Sequence, residues 1–344
     1  MKKLTRMLAV LVLSFAAVLP TLQSVNAQSA ALAITPRREL TVAKGTTASE
    51  TLTVTNPQQN ADLTLKLRVV DFTAKNQTGS PVLSLNEDAK QEPWSLKKYI
   101  ELPETVLLKG GETTNVPFSV TIPSNVGAGS YYSAIQYTAE GEGGQNVTIA
   151  AAATTLVFVN VPGEVKQQMT LKQLGAFSGD ANGEDGSYKL FYFGGAPKVI
   201  SYLLKNEGNV AERPTGSILI KNSFTGKTIT VDEANYNGAL ALIGQERRFD
   251  ACINTVEKKE QTVSGDVTRK TCEAPKLSPG RYTIQLSAFY GQGNGKSLEV
   301  VGTSSFWYLP TWFIILFVVL LLALAGGVWW VVNKIRSRVP TRRK

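Results

Sequence analysis

Polar and apolar residues alternate along most of the chain. The alternation is clear in Thr51-Leu52-Thr53-Val54-Thr55, in Leu63-Thr64-Leu65-Lys66-Leu67, and from Val116 to Ile122. It returns from Thr154 to Val161, Ser217 to Ile220 and Tyr282 to Leu286. A period of two turns one side of a strand to a core and the other to water. Turn-forming residues separate the runs: Asn56-Pro57, Lys109-Gly110-Gly111, Gly127-Ala128-Gly129, Asn206-Glu207-Gly208-Asn209 and Pro279-Gly280. One segment, Glu92 to Tyr99, carries a weak helical spacing instead. Many short strands between frequent turns predict an all-β fold of antiparallel β-sandwiches.

Two apolar runs break this pattern, one at each end. Lys2, Lys3 and Arg6 precede the run from Leu8 to Leu19, Pro20 ends it, and Val25-Asn26-Ala27 follows with small residues. These are the three parts of a secretory signal over residues 1–27, cleaved after Ala27. The alternative is a retained membrane anchor. At the other end, Trp312 to Val332 carries no charge over 21 residues. Such a helix reaches ~31 Å, about the thickness of a bilayer's hydrocarbon layer. Trp307, Tyr308 and Trp312 crowd one end of it, and Trp329 and Trp330 the other. Amphipathic rings favour the headgroup level, so residues 309–332 read as a single transmembrane helix.

The formal net charge is +9, but nine of the 36 basic residues sit at the two ends. That leaves 27 against 27 acidic ones between residues 28 and 308. The basic balance therefore concerns placement in a membrane and implies no nucleic-acid partner. Six Lys and Arg lie in the tail of residues 333–344. By the positive-inside rule this tail is cytoplasmic, and residues 28–308 stand outside the plasma membrane.

A divergent repeat divides the outer portion in two. Leu52–Asn56 matches Tyr202–Asn206 at an offset of 150, and Gly129-Ser130-Tyr131 matches Gly280-Arg281-Tyr282 at 151. A persistent offset implies two copies of one architecture. The boundary falls at Val161-Pro162-Gly163-Glu164, giving domains over 33–163 and 165–305. Asn56 and Asn206 each close a strand at a turn, where Asn tolerates the left-handed backbone. The two Gly-initiated strands suit a tyrosine whose ring is buried and whose hydroxyl bonds backbone; a ligand-stacking aromatic is the alternative.

Cys252 and Cys272 are the only two cysteines. Outside a membrane such a pair most simply forms a disulfide, adding ~3 kcal/mol by closing a loop of about twenty residues. The polar stretch from Glu257 to Thr271 between them reads as an exposed excursion. The chain has no histidine. The commonest general base and the usual zinc ligands are therefore missing, so no catalytic, cofactor-binding or metal site is assigned. Asp180-Ala181-Asn182-Gly183-Glu184-Asp185 is an acidic turn without the twelve-residue calcium-loop pattern, and reads as a solvated loop. A carboxylate pair could hydrolyse glycans, but no spacing singles one out.

Ile34-Thr35-Pro36 opens a strand. Leu40–Gly45 leads to Val54-Thr55-Asn56, and Trp94–Ile100 precedes Val106–Glu112. Phe118–Pro123 then runs to Gly127–Ile135. In these residues and in its order of parts the chain resembles the WxL-interacting proteins of the bacterial cell surface. The resemblance follows the whole chain in order, and residue by residue over about 33–140. It implies an immunoglobulin-like, peptidoglycan-binding first domain, a second sandwich, a membrane helix and a short basic tail. The expected function is a non-enzymatic, membrane-anchored binding protein whose partner is peptidoglycan or a cell-wall-associated protein. Trp94, Lys97, Lys98 and Tyr99 are the candidate contacts, since a Trp beside two Lys and a Tyr suits stacking on sugar. Trp94 equally suits plugging the end of a sandwich. The rival functions are a structural stalk or assembly scaffold and, third, a carboxylate-dependent glycan hydrolase.

Overall fold

A computed structural model of the chain describes residues 32–86, 91–140, 152–262, 265–291 and 297–336. The signal segment with Ala27, and the tail beyond Arg336, lie outside the described residues. The first half holds β1 (Ala33–Ile34), β2 (Arg37–Thr41), β3 (Thr46–Thr55), β4 (Leu63–Lys75) and β5 (Ser80–Ser84). There follow β6 (Ile100–Glu101), β7 (Thr105–Leu108), β8 (Thr113–Ile122), β9 (Gly129–Glu140) and β10 (Ala152–Val161). The second half holds β11 (Met169–Phe177), β12 (Phe191–Phe193), β13 (Val199–Asn206), β14 (Thr215–Asn222) and β15 (Thr228–Val231). It continues with β16 (Glu246–Cys252), β17 (Asn254–Thr262), β18 (Gly265–Glu273), β19 (Gly280–Tyr290) and β20 (Leu298–Leu309). Helix α1 (Thr311–Arg336) closes the described chain.

The two halves repeat one topology. In the first, a sheet of order β1-β3-β8-β6 faces β2-β10-β9-β4-β5, with β7 also on β4. In the second, β11-β13-β16 faces β12-β20-β19-β14-β15. One pairing in each half departs from the antiparallel expectation: β2 runs parallel to β10, and β12 parallel to β20. The cause is the same in both. The opening stretch of chain pairs first in one sheet (β1 with β3, β11 with β13) and then crosses to the edge of the other. A single stretch thereby covers one side of each sandwich. Both are immunoglobulin-like sandwiches, and the fold is all-β apart from α1.

Alternation places Leu52, Val54, Leu65, Val120 and Val157 in the first core, and Ile200, Leu204, Ile218, Ile284 and Phe306 in the second. Asn56 and Asn206 are fully buried. Each accepts the backbone N–H two residues on, from Gln58 at 3.1 Å and Gly208 at 3.0 Å. Each also donates to a carbonyl beyond the turn, Ala61 at 2.8 Å and Val210 at 2.7 Å. Their role thus differs from the sequence expectation. Among the described residues the non-glycine left-handed positions are Asn76 and Asn182, whereas Asn56 and Asn206 act through their side chains. Tyr131 and Tyr282 match as well: their hydroxyls donate to the carbonyls of Gly127 (3.0 Å) and Ser278 (2.8 Å), each four residues back.

Three boundaries differ from the sequence reading. Glu92 to Tyr99 forms consecutive turns rather than a helix. The backbone N–H of Leu96 points to Ser133 Oγ and the carbonyl of Trp94 accepts from Tyr132, so this segment's polar groups are committed to β9 and leave no helical ladder. Leu309 is the last residue of β20, so the second sandwich runs past 305 and the helix begins only at Thr311. Pro310 has no N–H for the sheet, and its carbonyl accepts from Phe313 and Ile314 to start the first turn. The helix also continues through Asn333 to Arg336, into the expected tail. The polar stretch between the cysteines is exposed where described, and forms the separate two-stranded hairpin β17–β18.

Candidate functional site at the junction of the two sandwiches

The outer face of the first domain's larger sheet carries an apolar patch of its own. Val70, Phe72, Tyr132, Ala134 and Phe158 are buried there together with Leu242 of the second domain. The rings pack with centroids 5.2 Å apart for Phe72–Tyr132, 5.8 Å for Tyr132–Phe158 and 5.9 Å for Phe72–Phe158. Ala211, Leu240 and Ile243 complete the cluster from the loops before β14 and β16. Burial, helped by Glu92 and Asp71, pushes the Tyr132 hydroxyl far above its ordinary titration range. This third core docks the two domains on one another.

Polar contacts rim it. Ser130 N–H donates to Asn209 O at 3.0 Å, Asn209 Nδ2 to Ala128 O at 3.0 Å, and Ala211 N–H to Ser130 Oγ at 2.9 Å. The tip of the β4–β5 hairpin reaches across to β16. There Arg248 N–H donates to Gln77 O at 2.8 Å and Arg247 Nη1 to Gly79 O at 3.3 Å. Gly79 has φ of 73°, and a Cβ there would run into the Arg247 guanidinium. Burial lowers the Arg247 pKa, and the positive charge of Arg37 lowers it further.

Beneath the hairpin lies a buried ion pair. Arg248 bonds Asp250 through Nε and Nη2, and stands over the Phe177 ring at 4.2 Å. Asp250 also accepts from Asn182 N–H at 2.7 Å and Ser201 Oγ at 2.5 Å. Arg248 donates to the carbonyl of Gly183 as well. The acidic turn 180–185 is therefore not simply solvated, as the sequence reading had it. It is fastened to β16, and Glu184 reaches Lys75 of the first domain at 2.8 Å.

Beside the cluster both domains line a cleft of about 430 Å³. Glu39, Phe158 and Asn160 line it from the first domain, and Gln167, Glu212 and Arg213 from the second. Glu39 is shared by two guanidinium groups, Arg213 at 2.5 Å and Arg37. Glu212 is buried, accepting from Gln167 Nε2 at 3.1 Å and Gly291 N–H at 3.0 Å. Burial raises its pKa, with those two bonds opposing. The wall formed by Glu39 and Thr41 belongs to β2, the terminal strand of its sheet. The cleft thus offers an apolar floor, fixed charges of both signs and a strand edge.

No protein-family model matches the sequence, and comparison with curated proteins finds no match. Among solved structures the chain is similar to bacterial chaperones. The E. coli chaperone DraB is 12% identical, with 72% of this chain and 98% of that one covered at a TM-score of 0.32. The SafB chaperone of Salmonella enterica, solved with the SafA pilin, is 9% identical, with 80% and 96% covered at 0.32. The Pseudomonas aeruginosa CupB2 chaperone is 6% identical, with 78% and 96% covered at 0.31. Likeness at this level bears on neither partner nor activity.

The residues singled out in the sequence fall in two places. Cys252 and Cys272 form a disulfide, with Cα atoms 5.1 Å apart, joining the end of β16 to β18. The quartet at 94–99 is split. Trp94 stacks on Tyr132 at 6.0 Å and packs against the junction cluster. Tyr99 packs against the first core, with Lys98 Nζ over its ring at 5.0 Å. Lys97 is half-buried, its N–H on Ser95 Oγ. The four side chains do not share one stacking face. Glu39, Glu212, Arg213, Arg248 and Asp250 went unnoticed in the sequence. Arg248 and Asp250 left one signal, a charged pair two residues apart in an otherwise apolar strand end. Among the described residues no group of three His, Cys, Asp or Glu side chains could hold a metal.

Proposed function

We propose that the chain is a non-enzymatic binding protein of the bacterial surface, of the WxL-interacting type, held to the plasma membrane by α1. The sandwiches stand outside and the tail is cytoplasmic. The partner is a cell-surface protein that lays an extended segment into the cleft between the domains. The observation that supports this reading is the placement of β2. Among the described residues no strand neighbours its outer edge in the sheet order, and its Glu39 and Thr41 line the cleft. A polypeptide can add to such an edge and place alternate side chains in the apolar floor.

The test is photo-crosslinking in intact cells from positions 39 and 41, with the exposed Leu107 of β7 as the control position. Protein adducts from 39 and 41 alone support the reading. Retention of the solubilised chain on purified peptidoglycan, without such adducts, moves the assignment to a glycan. Adducts of equal yield at all three positions end it.

A second reading, a scaffold or stalk, draws on the junction itself. The buried aromatic cluster would let the two domains act as one stiff unit. It predicts that charge-reversal of Glu39 and Arg213 together leaves assembly of the partner complex intact.

A further inference from the structure

Outside α1, the exposed phenylalanines among the described residues are Phe191, Phe193 and Phe224, at 47%, 65% and 69%. All three gather at one end of the second sandwich. In the parallel pairing of β12 with β20, Phe191 lies opposite Trp307 and Phe193 opposite Leu309. The Phe191 and Phe193 rings stack at 6.1 Å, and the Phe224 ring lies 6.0 Å from that of Trp307. Gly280 allows this, because a Cβ there would strike Phe224. Period-two alternation puts Phe191, Phe193, Trp307 and Leu309 on the outer face, while Tyr192 and Phe306 fill the core.

This is also the end at which the chain leaves the sandwich. Pro310 alone separates β20 from α1. Tyr308 donates its hydroxyl to Gly194 O at 3.2 Å, tying the end of β12 to the crossing point. Phe193 therefore stands about one strand spacing, ~5 Å, from the residue that leads into the helix. The segments that meet here, 186–195, 222–230, 275–283 and 303–312, contain Lys189, Lys227, Lys276 and Arg281 and no acidic residue. Aromatic rings with basic neighbours suit the headgroup layer of an anionic bilayer.

We propose that this aromatic end is immersed in the interfacial layer of the membrane that α1 crosses, so that the second sandwich is seated on the lipid surface. Further along β20 the same outer face becomes polar at Ser305 and Thr303, which limits the immersed area to the end nearest the helix. The inference rests on α1 as a membrane span.

The test uses the full chain in phosphatidylglycerol–phosphatidylcholine vesicles. The native disulfide is left oxidised, so one added cysteine is the labelling site. Four variants carry a fluorophore: Phe193→Cys, Phe224→Cys, Val301→Cys and Leu321→Cys. Val301 shares the strand and face of Trp307 but lies about 20 Å along it. We expect labels at 193 and 224 to be quenched severalfold more by shallow nitroxide lipids, and severalfold less by aqueous iodide, than the label at 301. If 193 and 224 respond like 301 while 321 is quenched by deep nitroxide lipids, the span stands and the seating is wrong. Protection from iodide without lipid quenching also overturns it, and assigns the patch to a second copy. If 321 is not quenched from the lipid, the membrane reading falls as well.

Discussion

The Arg248 guanidinium lies along the Asp250 carboxylate, Nε 2.9 Å from Oδ1 and Nη2 3.1 Å from Oδ2, with both side chains buried. Ser201 and Asn182 also donate to Asp250, and the carbonyl of Gly183 accepts from Arg248. Removing one member leaves the other's charge buried without its partner. Arg248→Met should lower stability by about 3–5 kcal/mol. Arg248→Met with Asp250→Leu should recover part of that, because no lone charge remains. Denaturant unfolding of the solubilised chain measures both. A double variant less stable than either single one would show that the remaining lone charge carries no such penalty.

Docking of the domains depends on Leu242 in the same way. Its side chain is buried among Phe72, Tyr132 and Phe158. Leu242→Ala should cost about 2–5 kcal/mol at the junction, and Leu242→Asp should separate the domains without unfolding either. The readout is limited proteolysis between Val161 and Met169. Faster cleavage with unchanged far-UV circular dichroism is expected. Unchanged cleavage would mean that the polar rim alone holds the domains together.

Local patterns in the sequence carry the strands, the disulfide and the duplicated Asn and Tyr turns. Each depends on a few neighbouring residues or on one fixed offset. The junction does not announce itself this way. Tyr131, Tyr132, Ala134 and Ile135 break the alternation because β9 is covered on both faces, and the cover, Leu242, lies a hundred residues further on. The quartet at 94–99 misleads for a related reason. Adjacency in sequence suggests one face, yet two consecutive turns send Trp94 to the junction and Tyr99 to the core. Phe191 and Phe224 become neighbours of one tryptophan only through the pairing of β12 with β20 and the turn after β14. Neither relationship has a local signature.

Glu212 gives the cleft a pH dependence. Burial raises its pKa above the ordinary carboxylate value, more than the bonds from Gly291 and Gln167 lower it. The folded chain therefore binds this proton more tightly than the unfolded one. The stability from this site is fully present below the unfolded pKa and is lost as pH rises through the folded pKa. Glu212→Gln keeps an acceptor for Gly291, and the Gln167 amide can turn to accept from the new one. The variant should be at least as stable as the parent at neutral pH and should lack this decline. Melting temperature against pH, from 4 to 8, compares the two. Parallel curves would mean that Glu212 titrates normally in the folded chain.

The Cys252–Cys272 bridge closes a loop with a sequence separation of 20 and holds the base of β17–β18. Among the described residues the hairpin pairs with no other sheet, and it is held to the sandwich by the bridge, by the short contact of β18 with β16 and by an ion pair of Lys270 with Glu233 at 2.8 Å. Cys252 is buried at the end of β16, opposite Val199 of β13. Reduction should therefore free the hairpin and lower the stability of the second domain by about 3 kcal/mol, while the first domain keeps its own core. Non-reducing gels of the chain from cells, with and without thiol alkylation, should show the faster-migrating oxidised form. Differential scanning calorimetry should show one transition moving down on reduction. A melting profile unchanged by reductant would mean that the bridge adds nothing to the stability of the second domain.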